Sequence, residues 1–219
     1  MRQYLVRHGE SVSNIEGRVQ GQIDVELSAF GREQARRTAA WCRTVAADGV
    51  TELWSSPLRR ARETAAEIAA ATGLAVRIEP QLAELHAGIF QGHLWADLEE
   101  RFPGEVARWR SGDVDYEIPG GESRARLATR GREALERLAG RGGPGMIVVA
   151  HGGVLTAALG ALVGHGDALL AAAAERPFTR LPALENCSVT TLEWPGPRLL
   201  AFNDTAHLGG GPASAAGGI

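Results

Sequence analysis

The sequence predicts an α/β protein. It would have three layers, α/β/α, around a mostly parallel central sheet with an antiparallel edge strand, and a small helical insertion over the site. Three observations carry this. Short apolar runs alternate with segments of helical periodicity, the pattern of strands joined by crossover helices. The most apolar run, Met146-Ile147-Val148-Val149-Ala150, suits a parallel sheet covered on both faces. Near the carboxyl end, Val189–Trp194 and Arg198–Phe202 flank Pro195-Gly196-Pro197, a hairpin signal.

The elements follow in order. Tyr4-Leu5-Val6 is a short buried strand. Ser28 can cap a helix whose Ala35, Thr38, Ala39, Cys42, Val45 and Ala46 fall at i, i+3, i+4 spacing, and Gly49 ends it. Glu52-Leu53-Trp54 is the next strand. In "SSPLRRARETAAEIAAATG", Ser56 reads as a cap, Pro57 as the first helical residue and Gly73 as the residue past the end. Ala75-Val76-Arg77-Ile78 is a third strand. Leu127, Gly131, Ala134 and Leu138 step by four, three and four along a helix that leads into Met146–Ala150, and another helix starts after His151-Gly152-Gly153. A single domain over residues 1–208 is expected. The insertion, about 85–122, interrupts the alternation, and the tail "GGGPASAAGGI" at 209–219 is expected to be disordered.

The totals exclude several classes. The chain has 219 residues, 44% hydrophobic and 22% charged, with a net charge of −3. No global field draws it to nucleic acid or membrane, so any anion site is local. No run approaches a membrane span of about 18 apolar residues, and "MRQYLVRHGE" lacks the apolar core of a secretory signal. Cys42 and Cys187 match no C-x-x-C pattern and read as reduced thiols. A cytoplasmic protein is expected.

The first strand stops at Arg7-His8-Gly9-Glu10, and a later one stops at His151-Gly152-Gly153. Parallel sheets place ligands beyond the carboxyl ends of their strands. If the two strands are neighbours, two imidazoles face one crevice. Phosphoryl transfer needs a positive clamp, an in-line nucleophile and a proton donor for the leaving oxygen. Arginine forks fit phosphate oxygens. A neutral imidazole can attack, and Gly9 would let backbone approach the ligand. Asn14 lies on the loop beyond, Arg60 lies in the first turns of a helix, where an anion is favoured, and Glu84 sits in "LAELHAGIFQG", where an acid could be held protonated.

These segments resemble the histidine phosphatase superfamily, also called phosphoglycerate mutase-like. The resemblance runs in order through "LVRHGES", "GRVQGQIDVELSAFGREQA", "SSPLRRARETA", "LAELHAGIFQG", "PGGES" and "VVAHGGV", with "NCSV" and "NDTAHL" extending it. It implies His8 as nucleophile, Glu84 as acid and base, and His151 as a catalytic partner, protonated in the clamp. It implies Arg7, Asn14, Arg60 and Gly152 around the phosphate, with Ser11, Gln20, Gly21 and His86 as possible substrate contacts. Arg18, Arg124 and Arg126 are candidates for a second acidic group on the substrate. No metal and no cofactor is implied, and a homodimer is possible.

Other readings are weaker. Ser28 and Ser56 read as caps, because neither sits in G-x-S-x-G. No histidine pair has metal spacing. Trp95 and Trp109 read as apolar cover for the insertion, and His93, His165 and His207 as ordinary. The compact segment before "PGGES" favours a metal-independent phosphomonoesterase of the histidine acid phosphatase type over a mutase, which must shield its phosphohistidine from water. A phospho-ligand sensor without turnover is the third alternative. "QGQIDVELS", "HAGIFQG" and "GGESR" resemble actinobacterial glucosyl-3-phosphoglycerate phosphatases, although Ile89-Phe90 stands where an aromatic pair is common there. The expected partner is a small polar phosphate ester, a sugar phosphate or phosphoglycerate derivative, with no nucleic acid and no membrane.

Overall fold

A computed structural model describes residues 1–164 and 183–209. The strands are β1 (Arg2–Arg7), β2 (Glu52–Ser55), β3 (Val76–Ile78), β4 (Gly145–Ala150), β5 (Val189–Glu193) and β6 (Arg198–Asp204). They form one sheet in the order β3-β2-β4-β1-β5-β6. β3, β2, β4 and β1 run parallel, whereas β5 is antiparallel to β1 and pairs with β6 as the expected hairpin. The helices are α1 (Val12–Glu16), α2 (Ala29–Ala47), α3 (Arg59–Thr72), α4 (Leu98–Arg101), α5 (Pro103–Arg110), α6 (Arg124–Ala139) and α7 (Gly152–Val163).

Alternation along the strands divides the core. Leu5, Met146, Val148 and Ala150 face a cluster with Leu135 and Leu138 of α6 and Val154 and Leu155 of α7. Val6, Ile147 and Val149 face the opposite cluster with Ala39 and Cys42 of α2 and Ala61, Ala65 and Ile68 of α3. Both faces are therefore dry, which is why β4 carries no polar residue at all. Gln3 is a buried polar exception on β1. Its amide donates to the Leu135 carbonyl at 2.9 Å and accepts from Trp194 Nε1 at 3.0 Å, so its burial costs little.

The insertion holds short helices only. Phe90, Leu98, Val106, Trp109, Tyr116 and Ile118 join the α6–α7 side of the core, with Trp95 packed against them. Backbone bonds tie this segment to the loop after α1. Val19 N–H donates to the His93 carbonyl, and Gly92 N–H donates back to Val19.

Two expectations change. α3 starts at Arg59 with Leu58 as its N-cap, so Pro57 stands outside the helix and Ser56 does not cap it. Gly9 is small for packing rather than for a ligand. A Cβ there would lie 2.5 Å from the Gly31 carbonyl oxygen, and a Cβ on Gly31 would lie 1.9 Å from that of Glu10. The tail beyond Gly209 and His165 lie outside the described residues.

The back-to-back glycines yield a stability prediction. Gly31→Ala forces the start of α2 off the loop that follows His8, which is expected to cost about 1–3 kcal/mol or more. Gly140→Ala adds a methyl at ordinary contact distance, 3.5 Å from the nearest carbonyl oxygens, in a helical conformation, and is expected to be neutral or to stabilise by about 0.4–1 kcal/mol. Thermal melts of the two variants check the pair.

Candidate active site

Parallel pairing sets the site. β1 and β4 are aligned with Arg7 opposite Ala150, so the next residues, His8 and His151, leave the sheet side by side. His8 N–H continues the ladder to the Ala150 carbonyl at 3.0 Å. The two rings lie 5.0 Å apart, tilted by 58°, and both are buried. β2 flanks β4 on the other side, and Ser56 N–H donates to the Val149 carbonyl at 2.9 Å. Three adjacent strand tips thus carry His8, His151 and Ser56.

Each imidazole has a readable tautomer. His8 Nδ1 lies 2.7 Å from the Gly9 carbonyl oxygen. A carbonyl only accepts, so Nδ1 carries the proton and Nε2 the lone pair. Arg60 Nε donates to that lone pair at 3.3 Å. His151 Nε2 lies 2.6 Å from Ser56 Oγ, whose oxygen also accepts Leu58 N–H at 3.3 Å. With the Ser56 hydroxyl donating, Nε2 accepts and Nδ1 is left as an N–H. The reverse tautomer would leave the buried hydroxyl proton without an acceptor as well. Nδ1 itself is buried and without a partner among the described residues.

The charges follow from burial. Burial first, then the Arg60 and Arg7 guanidiniums, hold His8 well below the ordinary imidazole range, against the Gly9 carbonyl bond. Burial, then Arg60, His8, Arg7 and Arg130, do the same to His151. Without a bound anion, burial and the guanidiniums favour a neutral His151 whose Nδ1–H is the available donor, in contrast to the protonated ring that the resemblance implies beside a phosphate. Burial pushes Arg60 down to about 10, against the pull of Glu84. It lowers Arg7 too.

The two arginines are held differently. Arg60 donates from Nη1 to the Ile23 carbonyl at 3.0 Å and from Nη2 to the Gly21 carbonyl at 2.8 Å. The left-handed Gly21 presents that carbonyl, and a Cβ there would meet Gln91 Oε1 at 2.2 Å. Arg7 donates from Nη1 to the Leu184 carbonyl, and its Nε is buried without a partner among the described residues. Gly152 lies against that atom, since a Cβ on it would be 3.6 Å from Nε.

Glu84 sits on the amino end of α7. Its Oε2 accepts Gly153 N–H at 2.9 Å, and its Oε1 accepts Val154 N–H at 2.9 Å and Leu85 N–H at 2.8 Å. Oε1 has both lone pairs filled, so Oε2 alone keeps one for a proton. The close approach needs Gly153, where a Cβ would stand 2.5 Å from Oε1.

Asn14 and Ser11 close a capping box on α1. Ser11 N–H and Oγ both point at Asn14 Oδ1, at 3.0 and 2.9 Å, which leaves the Asn14 Nδ2 as its donor. Ser11 Oγ is also 2.8 Å from Gln20 Oε1, so its one proton serves one oxygen at a time. The half-buried His86 accepts Gly88 N–H on Nδ1 at 3.3 Å. The outlying arginines are engaged elsewhere: Arg18 with Glu16 and the Gly92 carbonyl, Arg124 over the Trp109 ring, and Arg126 with Glu117. A groove of about 460 Å³ lined by Met1, Tyr4, Val50 and Trp194 opens at the other end of the strands, remote from this chemistry.

Sequence reasoning missed several residues. Ser56 follows a strand, as His8 and His151 do, and that shared position was the available signal. Asn186 donates to the His8 carbonyl at 2.9 Å, and Gln22 donates to the Glu84 carbonyl at 2.9 Å. Arg130 and Glu122 brace the Glu84 loop. Asn186 begins "NCSV", Gln22 lies in "QGQIDVELS" and Glu122 in "PGGES", so those segments were the available signal for them, whereas Arg130 on the surface of α6 stands in no such segment.

Comparison with known proteins agrees with this geometry. A profile of the histidine phosphatase superfamily (branch 1) matches residues 3–205. A metal-independent phosphoserine phosphatase of Arabidopsis thaliana is 42% identical over 156 residues, 70% of this chain and 65% of that protein. A glucosyl-3-phosphoglycerate phosphatase of Mycobacterium tuberculosis is 36% identical over 168 residues, 73% of this chain and 74% of that one. A probable phosphoglycerate mutase GpmB of Serratia proteamaculans is 38% identical over 195 residues, 87% of this chain and 83% of that one. A solved structure of mycobacterial glucosyl-3-phosphoglycerate phosphatase with VO3 superposes with a TM-score of 0.77 and 33% identity, covering 93% of this chain and 99% of that one. Two strand tips that present paired imidazoles between buried arginines, in a chain matched almost end to end, place this protein in the histidine phosphatase superfamily.

Proposed function

We propose that the chain hydrolyses phosphate monoesters through a phosphohistidine on His8. One observation carries the reading. Two buried polar atoms on adjacent strand tips, Arg7 Nε and His151 Nδ1, lack partners among the described residues, beside the His8 Nε2 lone pair. Buried donors are paired in native proteins, and phosphate oxygens are acceptors that would pair both.

The chemistry then balances. His8 Nε2 donates its lone pair to phosphorus, the bond to the leaving oxygen breaks, and that oxygen takes the proton carried on Glu84 Oε2. Arg7, Arg60 and the His151 Nδ1–H hold the non-bridging oxygens as charge redistributes, with Asn14 Nδ2 as a further donor. Water then attacks the phosphohistidine and gives a proton to Glu84. The P–N bond breaks, and Nε2 recovers its lone pair. Charge on the transferring group is met by guanidiniums and N–H donors of the chain itself.

The substrate is a small polar ester, a sugar phosphate or phosphoglycerate derivative. The mycobacterial glucosyl-3-phosphoglycerate phosphatase and the plant phosphoserine phosphatase support that class by their names. The GpmB relative favours a second reading, transfer back to the substrate, which needs water kept out. The short α4 and α5 offer little cover for that. We place the reaction in the cytoplasm, because Cys42 and Cys187 are free, buried thiols.

Three outcomes are expected. His8→Ala abolishes turnover and removes acid-labile labelling by radioactive substrate, with the melt unchanged within a few degrees; label retained on another residue would move the nucleophile elsewhere. Incubation with 3-phosphoglycerate in chelator releases inorganic phosphate without 2-phosphoglycerate, and isomerisation without release would establish the mutase instead. The third concerns pH. Unfolded, both histidines take a proton near pH 6.5; folded, burial and the arginines delay it to lower pH. Stability from this source is intact above about pH 6.5 and is lost as pH falls below it. The melting temperature should drop on acidification in wild type and less steeply in a His8→Gln, His151→Gln double variant. The acid limb of kcat/KM should lie below the ordinary imidazole value, because a protonated His8 cannot attack.

A further inference from the structure

We infer that Arg130 and Glu122 are positioning residues that hold Glu84 where it can exchange its proton with the leaving group. The inference rests on Glu84 acting as the acid. Arg130 lies on α6, outside the cluster formed by Arg7, His8, Arg60 and His151, yet its guanidinium gathers the whole backbone segment that carries Glu84. Nη1 donates to the Gln81 and Ala83 carbonyls, each at 2.6 Å, and Nη2 donates to the Glu84 carbonyl at 2.9 Å. Nε and Nη2 also form a fork with the Glu122 carboxylate at 3.0 and 2.7 Å. Glu122 completes the loop from the far side. Its Oε1 accepts His86 N–H at 2.8 Å, and its own N–H donates to the His86 carbonyl at 2.9 Å.

The segment is therefore pinned on both sides of Glu84, before it by Arg130 and after it by Glu122. Three carbonyl dipoles and a carboxylate converge on one cation. Without that cation they repel one another, and the segment is left to the Gln22 bond and the hold of α7 on the Glu84 carboxyl. The pair is largely sheltered, with side chains 18% and 10% exposed, so solvent does not screen it as it would a surface bridge. The Glu84 side chain is short. Where Oε2 sits is set jointly by its bond from Gly153 N–H and by the main chain that carries the side chain, and a misplacement of about 1 Å can cost about 100-fold in rate. α6 does not need Arg130 for its own packing, because Leu127, Ala134, Leu135 and Leu138 on it lie in the core.

Leaving groups separate positioning from plain stability. An alkoxide needs a proton as it departs, whereas p-nitrophenolate hardly does. The experiment compares kcat/KM on glycerol phosphate and on p-nitrophenyl phosphate for Arg130→Met, Arg130→Lys and Glu122→Gln, with Glu84→Gln as reference. Arg130→Met is expected to lose about 10- to 100-fold on glycerol phosphate and only a few-fold on p-nitrophenyl phosphate, in the same sense as Glu84→Gln. Arg130→Lys keeps the charge without the fork and should fall between wild type and Arg130→Met. Activity on p-nitrophenyl phosphate shows that each variant is folded. If Arg130→Met does not fold, Glu122→Gln, which keeps its shape, decides by the same comparison. Equal losses on both esters, or none, in a folded variant overturn the brace while Glu84→Gln keeps its selectivity. If Glu84→Gln itself shows no selectivity, the acid role falls and the brace falls with it.

Discussion

The register of β1 against β4 is the constraint on which the site depends. Arg7 stands opposite Ala150, and the ladder runs one bond further, to His8 N–H. A shift of one residue would turn every side chain to the other face. It would move Leu5 and Val6 into the wrong cores and separate the imidazoles at the same time. The same burial that fixes the register for stability therefore fixes the spacing of the two rings. Core and site are not independent designs here: β4 is apolar along its whole length because helices cover both faces, and its tip is buried with them.

That burial surrounds an expensive arrangement of charge. Arg7, Arg60 and two histidines share one buried volume, and Glu84 is the acid acting most strongly on both guanidiniums. Desolvating cations costs several kcal/mol each unless partners replace the water. The chain supplies carbonyls as partners: Gly21 and Ile23 for Arg60, and Leu184 for Arg7. Carbonyls satisfy donors without cancelling charge, so the positive field survives. An acid in those positions would stabilise the fold better and neutralise the site. Burial and then the same field favour the neutral form of both histidines, which preserves a lone pair on one and an N–H on the other.

Much of this was legible beforehand, and the illegible part has a physical reason. Strand tips could be read because an apolar run that ends in Arg-His-Gly is a local contradiction, and alternation with helices tells where such tips converge. Leu127, Gly131, Ala134 and Leu138 on α6 were readable because 3.6-residue periodicity is a property of one segment. Ser56 was misread as a cap: serine before proline satisfies the helix-start pattern, and only the neighbouring strand shows that its hydroxyl meets His151. Arg130, Gln22 and Asn186 act on main-chain atoms of distant segments. Backbone carbonyls have no letter in a sequence, so even where a motif contains the side chain, as with Gln22 and Asn186, the partner it holds cannot be read from it.

In the proposed reaction, the placement of Glu84 on α7 leaves the phosphate chiefly to side chains. The amino end of a helix is a ready anion site, and α7 begins directly after His151, where a phosphate could have used it. Instead its N–H groups from Gly153 and Val154 are taken by Glu84. The carboxyl group that the start of α7 holds belongs to the protein. In the proposed reaction a substrate phosphate then finds its donors on Arg7 and His151 at strand tips, Arg60 in α3 and Asn14 in α1. Proton donor and phosphate clamp are thereby anchored to different elements, Glu84 to α7 and α6, the clamp to β1, β4 and α3. The distance between them is set by how helix packs on sheet rather than by any direct contact between the two sets.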